Sequence, residues 1–171
     1  MYQTTHAVLR ALHDDHVRTL ALLDRFEALL RRIGPDRPPG GSDADATTLL
    51  AEMVSNMAEE VDHHFAFEEG ELFPRFSRFA EPGIPAMLRA EHDAMRALER
   101  RLTELVAGAG SGGFEPAAWA EFHRLGRELV EREVFHIQKE EMGFLPAMDQ
   151  ILQPDEAAEL EDLYRRKPQG S

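Results

Sequence analysis

The sequence of 171 residues contains no cysteine. This absence excludes disulfide bonds, thiolate catalysis, iron–sulfur clusters and zinc sites with cysteine ligands. Basic residues are also scarce beside acidic ones, with 19 Lys and Arg against 32 Asp and Glu and a net charge of −13. Nucleic acids and anionic membranes both bind basic surfaces, so we expect neither as a partner.

Long apolar runs are missing as well. No stretch approaches the roughly 20 apolar residues that cross a bilayer, and the opening MYQTTHAVLRALHDDH does not resemble a secretory signal. We therefore expect a cytoplasmic protein. Apolar residues still make up 43% of the chain, enough for one core, and Ala, Leu, Glu and Arg outnumber the residues that favour strands. The composition predicts a single all-α domain over residues 1–171.

Hydrophobic periodicity predicts four long helices and a short one. Apolar residues recur at three- and four-residue steps over about 4–33, from 46 into the seventies, and over about 84–107 and 116–142. Pro74 is expected to bend or end the second helix, because proline has no backbone donor and clashes with the preceding turn. The short connections predict an up-down-up-down four-helix bundle over about 4–150, followed by a short C-terminal helix over about 154–166.

The two halves of the chain repeat each other. A shift of 76 residues aligns the first helix with the third, and a shift of 72 aligns HFAFEEGELFP with HIQKEEMGFLP. The aligned pairs are His16 with His92, His64 with His136, and Glu68 with Glu140. Each half therefore has one helix with a single inward His and one helix with His-x-x-x-Glu. Two such helical hairpins packed about a pseudo-twofold axis would bring the six side chains together.

The two His-x-x-x-Glu pairs lie on apolar helix faces. Residues four apart project from the same face, one turn apart. A charged Glu in a core is costly unless it is paired or bound to metal. Two dications, bridged by both carboxylates and capped by the imidazoles, would account for both pairs. Imidazole with carboxylate suits iron, manganese or zinc.

These motifs resemble those of the hemerythrin-like, or HHE cation-binding, domains. DHHFAFEEGELFP, EHDAMRAL and HIQKEEMGFLP follow that family's order of His, HxxxE, His and HxxxE over about residues 10–150. The resemblance implies a non-haem centre of two iron ions, with an oxo or hydroxo bridge, that binds or reacts with oxygen, peroxide or nitric oxide. It also implies the metal ligands, which are His16, His64, Glu68, His92, His136 and Glu140.

Two positions depart from the oxygen-carrying hemerythrins. The carriers have a second His one turn after the third-helix His, where this chain has Arg96, and an Asp five residues after the fourth-helix His, where it has Glu141. Arg96 pairs with a buried acid, stands over an open metal position or lies at the surface. The smaller ligand set favours reaction with an oxidant over reversible carriage. A sensor or store that binds without turnover is the alternative.

Neighbouring acids and histidines have weaker signals. Glu69 and Glu141 lie about 100° further round their helices than the bridging residues and are expected in solvent. Glu60 and Glu133 are candidates to accept hydrogen bonds from the ligating histidines. The remaining histidines, His6, His13, His63 and His123, are expected outside the metal shell, with His6 and His123 at the surface.

Two other interpretations compete with this one. The Glu-x-x-His motifs at 60–63 and 133–136 also fit ferritin-like di-iron bundles. The internal repeat, however, aligns His136 with His64 rather than His63, and that scheme needs Glu where the first and third helices offer His16 and His92. A metal-free bundle that binds a protein partner is the other alternative, and it gives no reason for four inward histidines.

Overall fold

A computed structural model describes residues 4–40, 43–80 and 83–166, and within these ranges the chain is helical with no strand. Helix α1 is Ala7–Ile33. Helix α2 begins as Ala44–Glu59, continues through π-helical Glu60–Phe65 and Glu68–Leu72, and ends with Phe73–Phe76. Helix α3 is Gly83–Ala109, and a 3₁₀ turn, Gly110–Gly112, follows it. Helix α4 begins as Pro116–Lys139, continues through π-helical Glu140–Phe144 and ends with Leu145–Ile151, and α5 is Pro154–Arg165. The predicted all-α architecture is confirmed.

Local chemistry explains several helix ends. The Asp43 side chain accepts a hydrogen bond from the backbone N–H of Ala46 at 3.0 Å and so caps the start of α2. At the end of α1, Gly34 adopts a φ of 75°, which glycine tolerates, and its N–H donates to the Leu30 carbonyl at 2.8 Å. The loop after α1 is held by α4, because the Trp119 indole N–H donates to the Gly34 carbonyl at 2.8 Å.

Pro74 was predicted to bend or end α2, and the helix does not end there. A π-helical segment precedes both Pro74 and Pro146, and each proline then occupies the first turn of a new α-helical segment. The missing N–H is tolerated there, and the change to i→i+5 hydrogen bonds shifts the register before the proline arrives. Helix α2 therefore reaches Phe76, and α4 extends beyond its predicted end at Met142 to Ile151.

The four long helices contact one another in cyclic order, α1 to α2, α2 to α3, α3 to α4 and α4 to α1, and α5 packs on α1. Helices α1 and α4 approach closely at Gly126, where an added Cβ would lie 2.9 Å from Phe26 Cζ. None of the described helices is long and apolar enough to cross a membrane.

Two apolar clusters fill the bundle. One contains Phe26, Trp119 and Phe122, and the other contains Leu72, Phe144 and Leu160 from α5. Along α1, His16 lies between Leu12 of the second cluster and Leu22 of the first. The inward histidines and carboxylates therefore form a polar layer between the two apolar clusters.

Candidate metal centre

Two groups of buried side chains could each hold a cation. The first group is His16, His64, Glu68 and Glu140, and the second is Glu68, His92, His136 and Glu140. In each group, one ligand atom per residue lies within 4.8 Å of the others. None of the six residues is more than 3% exposed. The structure thus brings together all six of the residues proposed from the sequence, and Glu68 and Glu140 belong to both groups.

The four imidazoles point their Nε2 atoms into the layer. His16 Nε2 lies 3.1 Å from His64 Nε2, and His92 Nε2 lies 3.0 Å from His136 Nε2. Glu68 spans the two pairs, with Oε1 3.4 Å from His64 Nε2 and Oε2 3.4 Å from His92 Nε2. This carboxylate therefore presents one oxygen to each group.

Glu140 spans the groups in the same way. Its Oε2 lies 3.1 Å from His16 Nε2, and its Oε1 lies 3.2 Å from His136 Nε2. Among the described residues, no hydrogen-bond partner satisfies any of the four buried oxygens of Glu68 and Glu140. In the metal-free chain only the imidazoles lie close enough to offset these buried charges, and a cation in each group would offset them directly. A donor set of imidazoles and carboxylates fits iron, manganese or zinc.

The pKa values show how strongly these groups interact in the metal-free chain. Burial lowers the pKa of His136, but the charge and close contact of Glu140 outweigh it and raise that pKa to about 10. Burial also lowers the pKa of His16, and contacts with Glu140 and Glu141 raise it to about 9. For Glu140, burial raises the pKa, but His136 and then His16 bring it well below its usual range. A bound cation would replace the imidazole protons.

Three of the four histidines have a carboxylate on the outer nitrogen, Nδ1. The pairs are His16 with Glu141 at 2.6 Å, His92 with Glu69 at 2.8 Å and His136 with Glu91 at 3.0 Å. An acceptor at Nδ1 fixes the tautomer that leaves Nε2 free for a metal and makes Nε2 more basic.

The prediction that Glu69 and Glu141 are solvated is wrong. Their side chains are 15% and 19% exposed. Burial raises the pKa of Glu141, but hydrogen bonds from His16 and His13 bring it below its usual range. Each acid sits beside a bridging Glu on a helix that packs against the helix carrying the histidine. A side chain one position further round therefore meets a neighbouring helix rather than water.

Arg96 pairs with an acid, which was one of its three predicted placements. Its Nη2 donates to Glu69 Oε1 at 2.7 Å, and its Nη1 donates to Asp93 at 3.1 Å. Glu69 Oε1 is also the acceptor at His92 Nδ1. Arg96 therefore supports the outer side of His92.

The outer nitrogen of His64 has a different partner. The hydroxyl of Tyr164, on α5, lies 3.3 Å from His64 Nδ1 and donates a hydrogen bond to Asp15 Oδ2. Asp15 Oδ2 itself lies 3.9 Å from that nitrogen. No sequence pattern links Tyr164 to His64, from which it lies 100 residues away along the chain. The repeat offers a signal only for the acid, since Asp15 aligns with Glu91.

The hypothesis that Glu60 and Glu133 accept hydrogen bonds from the ligating histidines is also wrong. With Glu99 they form a separate buried acidic cluster beside a cavity of about 10 Å³. Thr19 Oγ1 donates to Glu60 at 3.0 Å, whereas Oε2 of Glu99 and Oε2 of Glu133 have no hydrogen-bond partner within the described ranges. Burial first, and then the charge of Glu60, raise the pKa of Glu99 to about 8 and that of Glu133 well above its usual range. Neither metal group contains Glu60 or Glu133, which contradicts the ferritin-like alternative.

The remaining histidines lie outside both groups, as expected. His13 Nδ1 lies 2.9 Å from Glu141 Oε2, so it supports the partner of His16. His63 stacks on Tyr164 with ring centroids 4.5 Å apart. His123, predicted at the surface, is 8% exposed, and its Nε2 donates to the Leu30 carbonyl at 3.0 Å. That burial reflects the close approach of α1 and α4, which periodicity within one helix does not reveal.

A narrow cleft leads from the surface toward one side of the centre. Its volume is about 40 Å³, and its lining includes Asn56, His63 and His64 between α1 and α2. The cleft has room for only a few atoms, and His64 is the one residue of the two groups among its lining.

Comparison with known proteins identifies a family. The family model described as hemerythrin HHE cation binding domain matches residues 7–148 and, in a second match, residues 86–166. The second match begins near the start of α3, where the internal repeat begins again. No curated protein matches the sequence significantly.

Proposed function

Because this chain belongs to the hemerythrin HHE cation-binding domain family, we propose that it holds two iron ions, one in each group, and that this centre binds or reacts with a small oxidant. The oxidant is dioxygen, peroxide or nitric oxide. One observation carries the proposal: Glu68 and Glu140 each place one unpartnered, buried oxygen in each of two His-lined groups. Two cations satisfy all four oxygens at once.

The residues prepare the site in three ways. Carboxylate acceptors on the Nδ1 atoms hold three of the four imidazoles with Nε2 inward, so these side chains are oriented before a cation arrives. The apolar clusters on both sides of the layer keep out water, which strengthens every charge interaction inside it. The narrow cleft at His64 has room for a molecule of a few atoms, which agrees with a small oxidant. Bound iron would supply the redox chemistry toward the oxidant.

Reaction is favoured over reversible carriage because each group offers an ion only four residues, two histidines and two carboxylates. Arg96, where the carriers have a ligating His, is engaged with Glu69 and cannot ligate because its guanidinium stays protonated. An ion held by four residues would have room for an external ligand. The alternative of a sensor or store predicts the same metal content but no turnover.

Metal content tests the site. The wild-type chain, reconstituted with iron without oxygen, should bind two ions per chain by elemental analysis. Glu140→Gln should bind at most one, because a neutral amide bridges two cations poorly. Glu133→Gln is the matched control, since Glu133 is equally buried on the same helix but belongs to neither group. If Glu140→Gln bound two ions and Glu133→Gln lost an ion, Glu140 would not be a metal ligand and the proposed site would be wrong.

Reactivity tests the second half of the proposal. The reduced, loaded protein is mixed separately with oxygen, peroxide and nitric oxide, and absorption spectra are recorded. We expect a new absorption band with at least one of them and consumption of peroxide faster than by the same concentration of free iron. A spectrum that changes without turnover would favour the sensor or store. No change with any of the three would contradict both functions.

A further inference from the structure

The outer partners of the metal-facing histidines follow the internal repeat. Glu69 and Glu141 are 72 residues apart, and each accepts from a single-His helix of the other half of the chain, at 2.8 Å and 2.6 Å. Under the same repeat, His136 and His64 are equivalent, so the partner of one predicts the partner of the other.

The outer partners of His136 and His64 do not match. His136 Nδ1 lies 3.0 Å from Glu91 Oε2, and the residue that aligns with Glu91 under the shift of 76 is Asp15. Aspartate is one methylene shorter than glutamate. Its Oδ2 stops 3.9 Å from His64 Nδ1, which is beyond hydrogen-bond distance.

Tyr164 lies at the gap. Its hydroxyl is 3.3 Å from His64 Nδ1 and donates to Asp15 Oδ2. A hydroxyl can accept one hydrogen bond while it donates another. The Tyr164 oxygen can therefore accept a hydrogen bond from the Nδ1–H of His64 while its O–H donates to the carboxylate of Asp15. The tyrosine is 6% exposed and is held by its stack on His63 and an edge contact with Phe67, at centroid distances of 4.5 Å and 4.6 Å.

We propose that Tyr164 is a positioning residue of the metal centre. It relays the hydrogen bond from His64 to Asp15, so the affinity of one of the two metal positions depends on the C-terminal helix α5. The inference rests on the proposed function, because it requires a cation at His64 Nε2. Helix α5, which supplies no ligand, thereby gains a role beyond the proposed function. Loss of an outer partner of a metal-bound His typically weakens metal binding about 10–100-fold.

The test measures stepwise iron affinity without oxygen, using a competing chelator and elemental analysis. Tyr164→Phe keeps the ring and removes the relay, so we expect one of the two binding steps to weaken about 10–100-fold and the other to stay within about twofold. Adding Asp15→Glu to Tyr164→Phe lengthens the acid by about 1.5 Å, which spans the gap as Glu91 does at His136. This double variant should recover most of the lost affinity.

Glu91→Asp is the matched control, because it makes the same shortening at the aligned position, where the other metal group lies. It should weaken one step too, and combining it with Tyr164→Phe should weaken both. Unchanged affinities in Tyr164→Phe would overturn the inference, as would a loss that Asp15→Glu does not restore. Wild-type protein that binds fewer than two ions would overturn the proposed function itself and this inference with it. Circular dichroism and melting of the metal-free variants show whether each one folds.

Discussion

Glu99 offers a stability test that does not depend on any metal. It lies on α3 within the buried acidic cluster, 4% exposed, with one carboxylate oxygen that has no partner in the described part of the chain. Burial and the nearby charge of Glu60 raise its pKa from 4.5 to about 8. We predict that Glu99→Gln stabilises the metal-free protein relative to wild type increasingly as the pH rises.

The sign follows from proton linkage. The raised pKa means that the folded chain binds a proton more tightly than the unfolded chain, so Glu99 destabilises the fold as the pH rises from about 4.5 through about 8. For that change in pKa the penalty is about 1 kcal/mol at about pH 5, about 3 kcal/mol near neutrality and about 5 kcal/mol at about pH 9. Glutamine does not ionise. Between about pH 5 and about pH 9, the free energy of unfolding of Glu99→Gln should therefore rise by up to about 4 kcal/mol relative to that of wild type.

The assay is denaturant unfolding of chelator-treated wild type and Glu99→Gln at several pH values. The contributions of the histidines cancel in the difference, because distant sites add. An amide that lacks a partner costs a constant amount, so the slope with pH reports the charge of Glu99, including its part in raising the pKa of Glu133. Glu131→Gln on the exposed face of α4 is the control and should give a flat difference. A flat difference for Glu99→Gln as well would refute the reasoning, since the carboxyl would then ionise as it does in water.

Three further predictions concern the metal, its outer partners and the core. Chelation should lower the melting temperature, and more so at higher pH. The pKa values of His16 and His136 are raised to about 9 and 10, and these shifts stabilise the metal-free chain fully below about pH 6.5. That stabilisation is lost as the pH rises through the two raised pKa values. Equal melting temperatures with and without chelator across that range would exclude a shared metal site. Glu141→Gln should keep two ions at saturating iron but bind one of them about 10–100-fold more weakly, as a chelator competition would show. Gly126→Ala should cost about 1–3 kcal/mol in denaturant unfolding because its Cβ meets the Phe26 ring, whereas Gly108→Ala, with nothing within 4 Å, should be neutral or stabilising.

Sequence reasoning predicted the helices well, because each buries one face and that face repeats along the chain. It failed where the helix changes its own geometry. Periodicity assumes a constant twist, and neither the π-helical segments nor the passage of α2 beyond Pro74 follows from it. The missed end of α4 has the same cause at Pro146.

The six clustered residues could be predicted because the repeat marks them twice. Their surroundings could not. Whether Glu69 meets water or His92 depends on which helix packs beside it, and that is a property of the assembled bundle. Tyr164 is a stronger case, because it comes from a helix outside the repeat and replaces a contact that Asp15 is too short to make.

The division of the site between the halves has a consequence for how the molecule is assembled. Each metal group takes two histidines and one carboxylate from one half and its second carboxylate from the other, and the contacts of His16 with Glu141 and of His92 with Glu69 are reciprocal. This is the contact pattern of a twofold-symmetric dimer, written into a single chain. In a true homodimer, any substitution appears on both sides of the axis. Here the two halves can diverge independently. Tyr164 lies beside His64 at one end of the centre and Glu91 lies beside His136 at the other, so the two ends differ chemically.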